Sequence, residues 1–329
     1  MQKLASQGID YLMHEILESL QPVITQSTHV RIDESSLERF CQKILRERPK
    51  IPSWNYQHHF YDGTEKTVAY LLVLDSLNFC FWPEPSWEIV HKNEKFSGYP
   101  ALAVALKRAI EEGIPIGDAD FLSTVSLETL SHIFRGNGHL PLLERRLDIL
   151  HELGTVLKTQ YQGQAHYLIE AAQGSAIKLI QRLVTDFPSF RDEALYKRHR
   201  VLLRKRAQIF VADLHGSFEG KRWGEFHDIG QLTIFADYVL PQVLRQLGIL
   251  QYSPSLAERV DHYETIEASS PEEVEIRAHT IWAVELLRRR LTPIGLNLRA
   301  FELDWILWNM GQEPTYEAKP HHRTRTIFY

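Results

Sequence analysis

The chain has 329 residues, 44% of them hydrophobic and 24% charged, with a formal net charge of −5. That is enough apolar material for a substantial core in one large or two modest domains; the net charge argues against a protein that coats nucleic acid by bulk electrostatics, and leaves room for a local basic pocket. Only Cys41 and Cys80 occur, no apolar signal stretch opens the chain and no long apolar run is present, so neither a disulfide framework nor secretion nor a membrane span is expected, and the expected compartment is the cytoplasm.

The dominant period along the chain is helical. Residues 9–21 (Ile9, Leu12, Ile16, Leu20) and 35–46 (Leu37, Phe40, Ile44, Leu45) show three-and-four spacing, after which Pro49 and Pro52 open a loop. Tyr70 to Trp82 is nearly continuously apolar and on periodicity alone is a buried helix or a strand. Helical patterns then cover 100–112, 118–124, 126–134, 142–157, 164–185 and 190–196, separated by turn signals such as Gly113, Gly136-Asn137-Gly138 and Pro188. An apolar helix follows the basic triplet Arg204-Lys205-Arg206. Pro241 reads as the first residue of a short helix closed by Gly248. Ser270-Pro271-Glu272-Glu273 reads as an N-cap, a proline at the first helical position and a capping-box glutamate, opening a long helix through about Arg289. A last helix covers about 298–309, and the residues from 313 to 329 have the composition of a tail. The fold class expected is mainly α, a compact multi-helix globular unit with an N-terminal helical part over about 1–190 and a C-terminal one over about 191–312.

One carboxylate stands out. Asp237 lies among Phe235, Ala236, Tyr238, Val239 and Leu240, where an ionised group loses hydration unless a partner compensates. Pro241, four residues on, cannot return a hydrogen bond to the carbonyl of residue 237, so the helix is expected to kink or restart between them. Two readings remain open: a ligand-facing acid, or an acid that caps the next helix or pairs with a buried arginine. Three consecutive bases, 204 to 206, point about 100° apart around a helix, so at most one or two face any one site. Asn78 must satisfy a buried amide, through backbone or ligand. Phe79 and Trp82, three apart, would share a helical face and read as core. Asp304 and Trp308, four apart, are neighbours on one face: an acid for a cationic amine and an indole to stack on a heterocycle, or simply an amphipathic helix. Arg277 and Glu275 read as an ion-pair scaffold. There is no HExxH, no CxxC and no tight His/carboxylate cluster, so neither metal nor cofactor is expected, and His321-His322 falls in the tail. GxSxG and GxxxxGK[ST] are absent as well, against a serine hydrolase or a P-loop enzyme.

Five blocks carry a resemblance: DSLNFCFWP (Asp75 to Pro83), KRAQIFVADL (Lys205 to Leu214), FHDIGQLTIFADYVLPQVLRQLGILQYS (Phe226 to Ser253), EEVEIRA (Glu272 to Ala278) and LDWILW (Leu303 to Trp308). In this order, over nearly the whole chain, they resemble the queuosine salvage family, the queuosine 5′-phosphate N-glycosylases/hydrolases. The resemblance implies an architecture similar to helical DNA glycosylases, a helix for the 70–82 block, catalysis in the C-terminal part, and queuosine 5′-phosphate as a small-molecule substrate with no stable nucleic-acid complex. It implies hydrolysis of an N-glycosidic bond, with Asp237 opposing the sugar cation and Lys205 meeting a phosphate or the reacting sugar. His59, more than His58, matches a ligand-facing histidine. Asn78, Trp82, Phe235, Tyr238, Asp304 and Trp308 complete the expected substrate site, with Asp304 and Trp308 on the base.

Overall fold

The computed structural model describes residues 11–82, 85–313 and 319–329. Ile9 and Pro83, both used in the sequence reading, lie outside the described residues. In chain order the helices are α1 (Tyr11–Gln26), α2 (Glu34–Glu47), α3 (Glu65–Ser76), α4 (Gly98–Glu111), α5 (Ala119–Thr124), α6 (Leu127–Ile133), α7 (Leu143–Gln160), α8 (Ala165–Glu170), α9 (Ala176–Asp186), α10 (Lys205–Ser217), α11 (Val239–Gln246), α12 (Pro254–Asp261), α13 (Pro271–Leu291) and α14 (Ala300–Gln312). Among the described residues six short strands, β1 (Val30–Ile32), β2 (Glu88–His91), β3 (Glu94–Ser97), β4 (Glu193–Tyr196), β5 (His199–Leu202) and β6 (Leu250–Tyr252), pair antiparallel as β1–β6, β2–β3 and β4–β5. The chain is therefore mainly α. No described helix is long and apolar enough to cross a membrane.

Two compact units are woven from the one chain. The first takes residues 1–52, 192–205 and 228–325; the second takes 53–191, 206–227 and 326–329. In the first, α13 is the central rod, touching α1, α2, β1, α11 and α14. Its start is set as the residues demand: Ser270 Oγ accepts from the N–H of Glu273 at 3.3 Å, with Pro271 at the first position. The Glu273 carboxylate returns to the N–H of Ser269, one residue before the cap. Glu275 does not pair with Arg277. It accepts from the N–H groups of Thr28, His29 and Val30 and from the Tyr196 hydroxyl, so it holds the chain leading into β1. In the second unit α5 packs against α7 so closely that a Cβ on Gly154 would collide with the backbone of Ala119 and Ser123.

Where the fold departs from the sequence reading, local backbone chemistry explains it. Residues 193–202 form the β4–β5 hairpin where a helix over 190–196 was expected; its turn residues Lys197 and Arg198 both hold positive φ, 44° and 73°, a turn conformation without its usual Gly or Asn signature. The 164–185 pattern breaks into α8 and α9 at Gly174, φ 71°. The helix reading of Tyr70 to Trp82 holds as far as Ser76. From Leu77 to Trp82 the chain is irregular, with Cys80 at φ 47°, so Phe79 and Trp82 share no helical face. Helix α11 starts at Val239, two residues before the proline expected to open it, because that proline is tolerated anywhere in the first turn. The strand β6 and helix α12 carry no periodic signal long enough to announce them. Residues 319–329, tail-like in composition, are built in: His322, Thr324, Thr326 and Tyr329 are buried, and Arg323 accepts from the N–H of Ile266.

Candidate active site

Residues 232–237 run without regular structure and deliver Asp237 to the threshold of α11. Its Oδ1 accepts from the N–H groups of Val239 at 2.8 Å and Leu240 at 2.9 Å, so it satisfies two donors that the first helical turn leaves orphaned. Its Oδ2 takes no hydrogen bond among the described residues. The helix-capping reading left open by the sequence is met by one oxygen alone. The residue is only half-buried in surface terms, yet protein crowds it enough that burial raises its pKa from the ordinary aspartate value. Lys205, the two N–H groups and Arg277 oppose that rise, in that order.

The basic triplet divides as its geometry requires. Arg204 adopts φ 51° and turns to Glu15, at 3.2 Å. Arg206 is fully buried in the second unit and donates to the carbonyls of Ser76 and Ser189. Lys205 is buried in the first unit and is the cation that acts most strongly on Asp237. A buried ammonium beside a carboxylate favours the ionised acid and in turn is favoured by it.

Behind this pair stands an ion pair of unusual connectivity. Arg277, on α13, meets Asp192 side by side, Nη1 to Oδ1 at 2.9 Å and Nη2 to Oδ2 at 2.6 Å. Its Nε donates to the carbonyl of Ala236 at 3.0 Å, and Glu273 lies 3.5 Å from Nη1. Asp192 also accepts the N–H of Lys205 on Oδ2 at 3.0 Å, while its carbonyl takes the N–H groups of Leu203 and Arg204. Sequence reasoning marked Arg277 as scaffold and missed Asp192. A cation at position 277, on the same face as Val274 and Ile281, was the available signal that a buried acid must exist elsewhere.

Of the remaining expected residues of this unit, Phe235, Tyr238 and Asp304 lie on or against the same segment. Asp304 is buried on α14 and its Oδ2 accepts from the N–H of Phe235 at 2.7 Å; Phe235 itself is buried. Trp308, one turn further along α14, is partly exposed. The Tyr238 ring packs on His321, centroids 4.7 Å apart. His321, set aside by the sequence reading as tail, therefore sits against the neighbour of Asp237, with Nδ1 2.8 Å from the carbonyl of His322. In the neutral ring that contact places the proton on Nδ1 and leaves Nε2 as the acceptor. His322 is buried, and desolvation, with His321 and Arg277 nearby, lowers its pKa to about 3.

His59, Asn78 and Trp82 belong to the second unit. His59 is held between the carbonyl of Asn55 at 2.7 Å and the Tyr99 hydroxyl at 2.9 Å, tilted against Trp54, and burial lowers its pKa to about 4. It is a neutral imidazole at physiological pH. Asn78 is buried and Trp82 partly exposed. A cavity of about 600 Å³ in this unit is lined by His59, Tyr56, Tyr61, Lys107 and Arg222 among others. Its cations are already engaged: Lys107 donates to the carbonyls of Tyr56 and Gln57, Arg222 donates to that of Gly63, and Lys221 lies 3.5 Å from the carboxylate of Glu219. Among the described residues no group of three or more His, Cys, Asp or Glu side chains could hold a metal ion.

Residues 58–329 match the sequence model of a family described as queuosine salvage protein. The chain belongs to the queuosine salvage family. Its similarity to individual members is broad. It is 46% identical over 314 residues to a Sphaerobacter thermophilus protein named queuosine 5′-phosphate N-glycosylase/hydrolase, covering 95% of this chain and 97% of that one. Proteins of the same name from Dictyostelium discoideum (38% identity; 92% of this chain, 95% of theirs) and Mus musculus (37%; 95% and 98%) match over nearly their full lengths. The queuosine salvage match covers segments of both units, while residues 1–52 of the first unit precede it.

Proposed function

We propose that the chain hydrolyses the N-glycosidic bond of queuosine 5′-phosphate, releasing queuine and ribose 5-phosphate for salvage toward tRNA modification. The observation that carries this reading is the divided carboxylate of Asp237. One oxygen is fixed by the start of α11, which orients the group; the other takes no bond among the described residues. Breaking a bond from the anomeric carbon to a base nitrogen builds positive charge on the ribose ring. A fixed, poorly hydrated carboxylate stabilises that charge without reorganising as it develops. Water then supplies the new oxygen bond to the anomeric carbon. Its proton passes to Asp237, whose raised pKa suits it to accept one, while the electron pair of the broken bond leaves with the base nitrogen; the proton then passes from Asp237 by way of solvent to that nitrogen, which returns the carboxylate to its ionised form. Lys205 keeps Asp237 ionised before the reaction and has the charge to meet the phosphate or the reacting sugar.

In this reading Asp304 and Trp308 read the base, and Phe235 and Tyr238 wall the pocket; His59, Asn78 and Trp82, the other expected substrate-site residues, belong to the second unit. In this reading the protein works in the cytoplasm. The test is product analysis: purified protein with queuosine 5′-phosphate should release queuine and ribose 5-phosphate in equal amounts. Prolonged incubation that returns the nucleotide intact would defeat the reading.

A further inference from the structure

We propose that the buried Asp192–Arg277 pair is a positioning device for the reaction, one that fixes the Lys205 ammonium and the Asp237 carboxylate in register with each other. The inference rests on the assignment of Asp237 to catalysis. Its basis is connectivity. Asp192 holds the backbone N–H of Lys205 through Oδ2 at 3.0 Å, and Arg277 holds the carbonyl of Ala236, the peptide adjoining Asp237, through Nε at 3.0 Å. The two are locked to each other by parallel bonds of 2.9 and 2.6 Å. A continuous chain of four hydrogen bonds therefore joins the backbone of one reacting group to that of the other, although they stand 32 positions apart in sequence.

Each link is of a kind that fixes direction. A guanidinium fork against a carboxylate is planar and bidentate, so it resists both sliding and rotation. Arg204, at φ 51°, makes the turn that lets Lys205 begin α10, and all three consecutive N–H groups from Leu203 to Lys205 end on Asp192. At the other end, residues 232–237 have no ladder or helix of their own. Their placement comes from outside, from Arg277 at the carbonyl of Ala236 and Asp304 at the N–H of Phe235. A stretch without regular structure that carries a catalytic group needs such anchors, since a displacement of about 1 Å at a reacting group costs about a hundredfold in rate. Arg277 also contributes charge, being among the cations that hold Asp237 ionised.

The experiment uses the full chain, with turnover of queuosine 5′-phosphate expressed per folded protein and compared across Arg277→Lys, Arg277→Gln, Asp192→Asn and Asp237→Asn. Around Asp237 the charged and titratable groups are Lys205 on α10, Arg277 with Glu273 on α13, Asp192 before β4, Asp304 on α14, and the His321-His322 pair against Tyr238 and Arg277. A His321→Gln background removes the imidazole facing Tyr238 from the pH profile. Arg277→Lys keeps the charge and loses the fork, so kcat should fall by about 10- to 100-fold with KM within about threefold. Arg277→Gln loses the charge too, and the acid limb of the kcat/KM profile should move to higher pH. Asp192→Asn keeps an acceptor for the Lys205 N–H while removing a negative charge, and should move the limb the opposite way; a purely structural defect gives no such opposed displacement. It also carries the test if the Arg277 variants do not fold. A kcat within threefold of wild type in Arg277→Lys, or limbs that do not move apart in Arg277→Gln and Asp192→Asn, overturns the positioning role when Asp237→Asn is inactive. Full turnover by Asp237→Asn instead overturns the underlying assignment.

Discussion

Under the proposed function Asp237 combines helix capping with charge stabilisation, and its replacement should separate the two. In Asp237→Asn the amide oxygen still accepts from the N–H groups of Val239 and Leu240, since Asn caps helices about as well as Asp. What disappears is the charge. A unit charge about 4 Å from a ribosyl cation, at an effective dielectric near 20, is worth about 4 kcal/mol, which corresponds to roughly a thousandfold in kcat. Stability should move the other way. The folded-state pKa of Asp237 is raised, so its proton is held more tightly in the fold than in the unfolded chain; the stabilising contribution is present at low pH and lost as pH rises through the raised value. At pH 7 the ionised acid is therefore a net cost, and Asn, which stands in for the protonated acid, should melt at or above the wild-type temperature. Asp237→Ala removes the cap as well, costing about 1 kcal/mol and lowering Tm by about 2 °C. The assays are turnover of queuosine 5′-phosphate and thermal unfolding on the same preparations. Turnover by Asp237→Asn above a tenth of wild type, or a melting loss as large as that of Asp237→Ala, would refute this division of labour.

Further outcomes follow from other contacts. Asp304→Ala strips a buried N–H at Phe235 of its carboxylate acceptor and should destabilise the chain by about 2–3 kcal/mol in a denaturant titration, whereas Asp304→Asn, which keeps an acceptor, should cost less. His59 and His322, with pKa values lowered to about 4 and about 3, bind protons less readily in the fold than when unfolded, so their contribution is complete above pH 6.5 and is lost as pH falls. For His59 the loss amounts to about 3 kcal/mol by pH 4. Melting curves between pH 7 and 4 should show it, and His59→Gln should flatten that slope. Gly154→Ala, which drives a methyl into the backbone of α5, should lower stability by about 1–3 kcal/mol; an unchanged melting temperature would mean that α5 and α7 can separate freely.

Much of this architecture was legible in the residues because helical burial repeats every three to four positions: α2, α4 to α7, α13 and α14 lie where the periodicity put them, within a few residues. What escaped was set by single backbone conformations. Nothing in Lys197-Arg198 advertises a turn with two positive φ angles, because charged residues adopt it only when the pairing of β4 with β5 compensates. The C-terminal segment read as tail because a polar, proline-containing stretch lacks periodicity, yet His322 and Tyr329 are buried there by tertiary contacts no local pattern encodes. In the candidate site, Asp237 was visible because a charge in apolar surroundings is anomalous. Asp192 was not: in SFRDEALY an acid among charged neighbours looks solvated, and its buried partner lies 85 residues away.

The weaving of the first unit bears on how the protein comes to be made. Strand β1 cannot pair until β6, with Val30 opposite Tyr252, has been synthesised, and Glu275 must arrive before the N–H groups of Thr28 to Val30 are satisfied. Closing loops of more than 200 residues is entropically slow, and contacts of such long range delay folding. A chain emerging from the ribosome would carry its opening helices unpartnered through the synthesis of some 200 further residues, leaving α1 and α2 in need of protection from aggregation. Nonsense truncations before α13 should accordingly yield insoluble protein rather than a weakened enzyme, since Glu275 is the latch on which the residues leading into β1 wait.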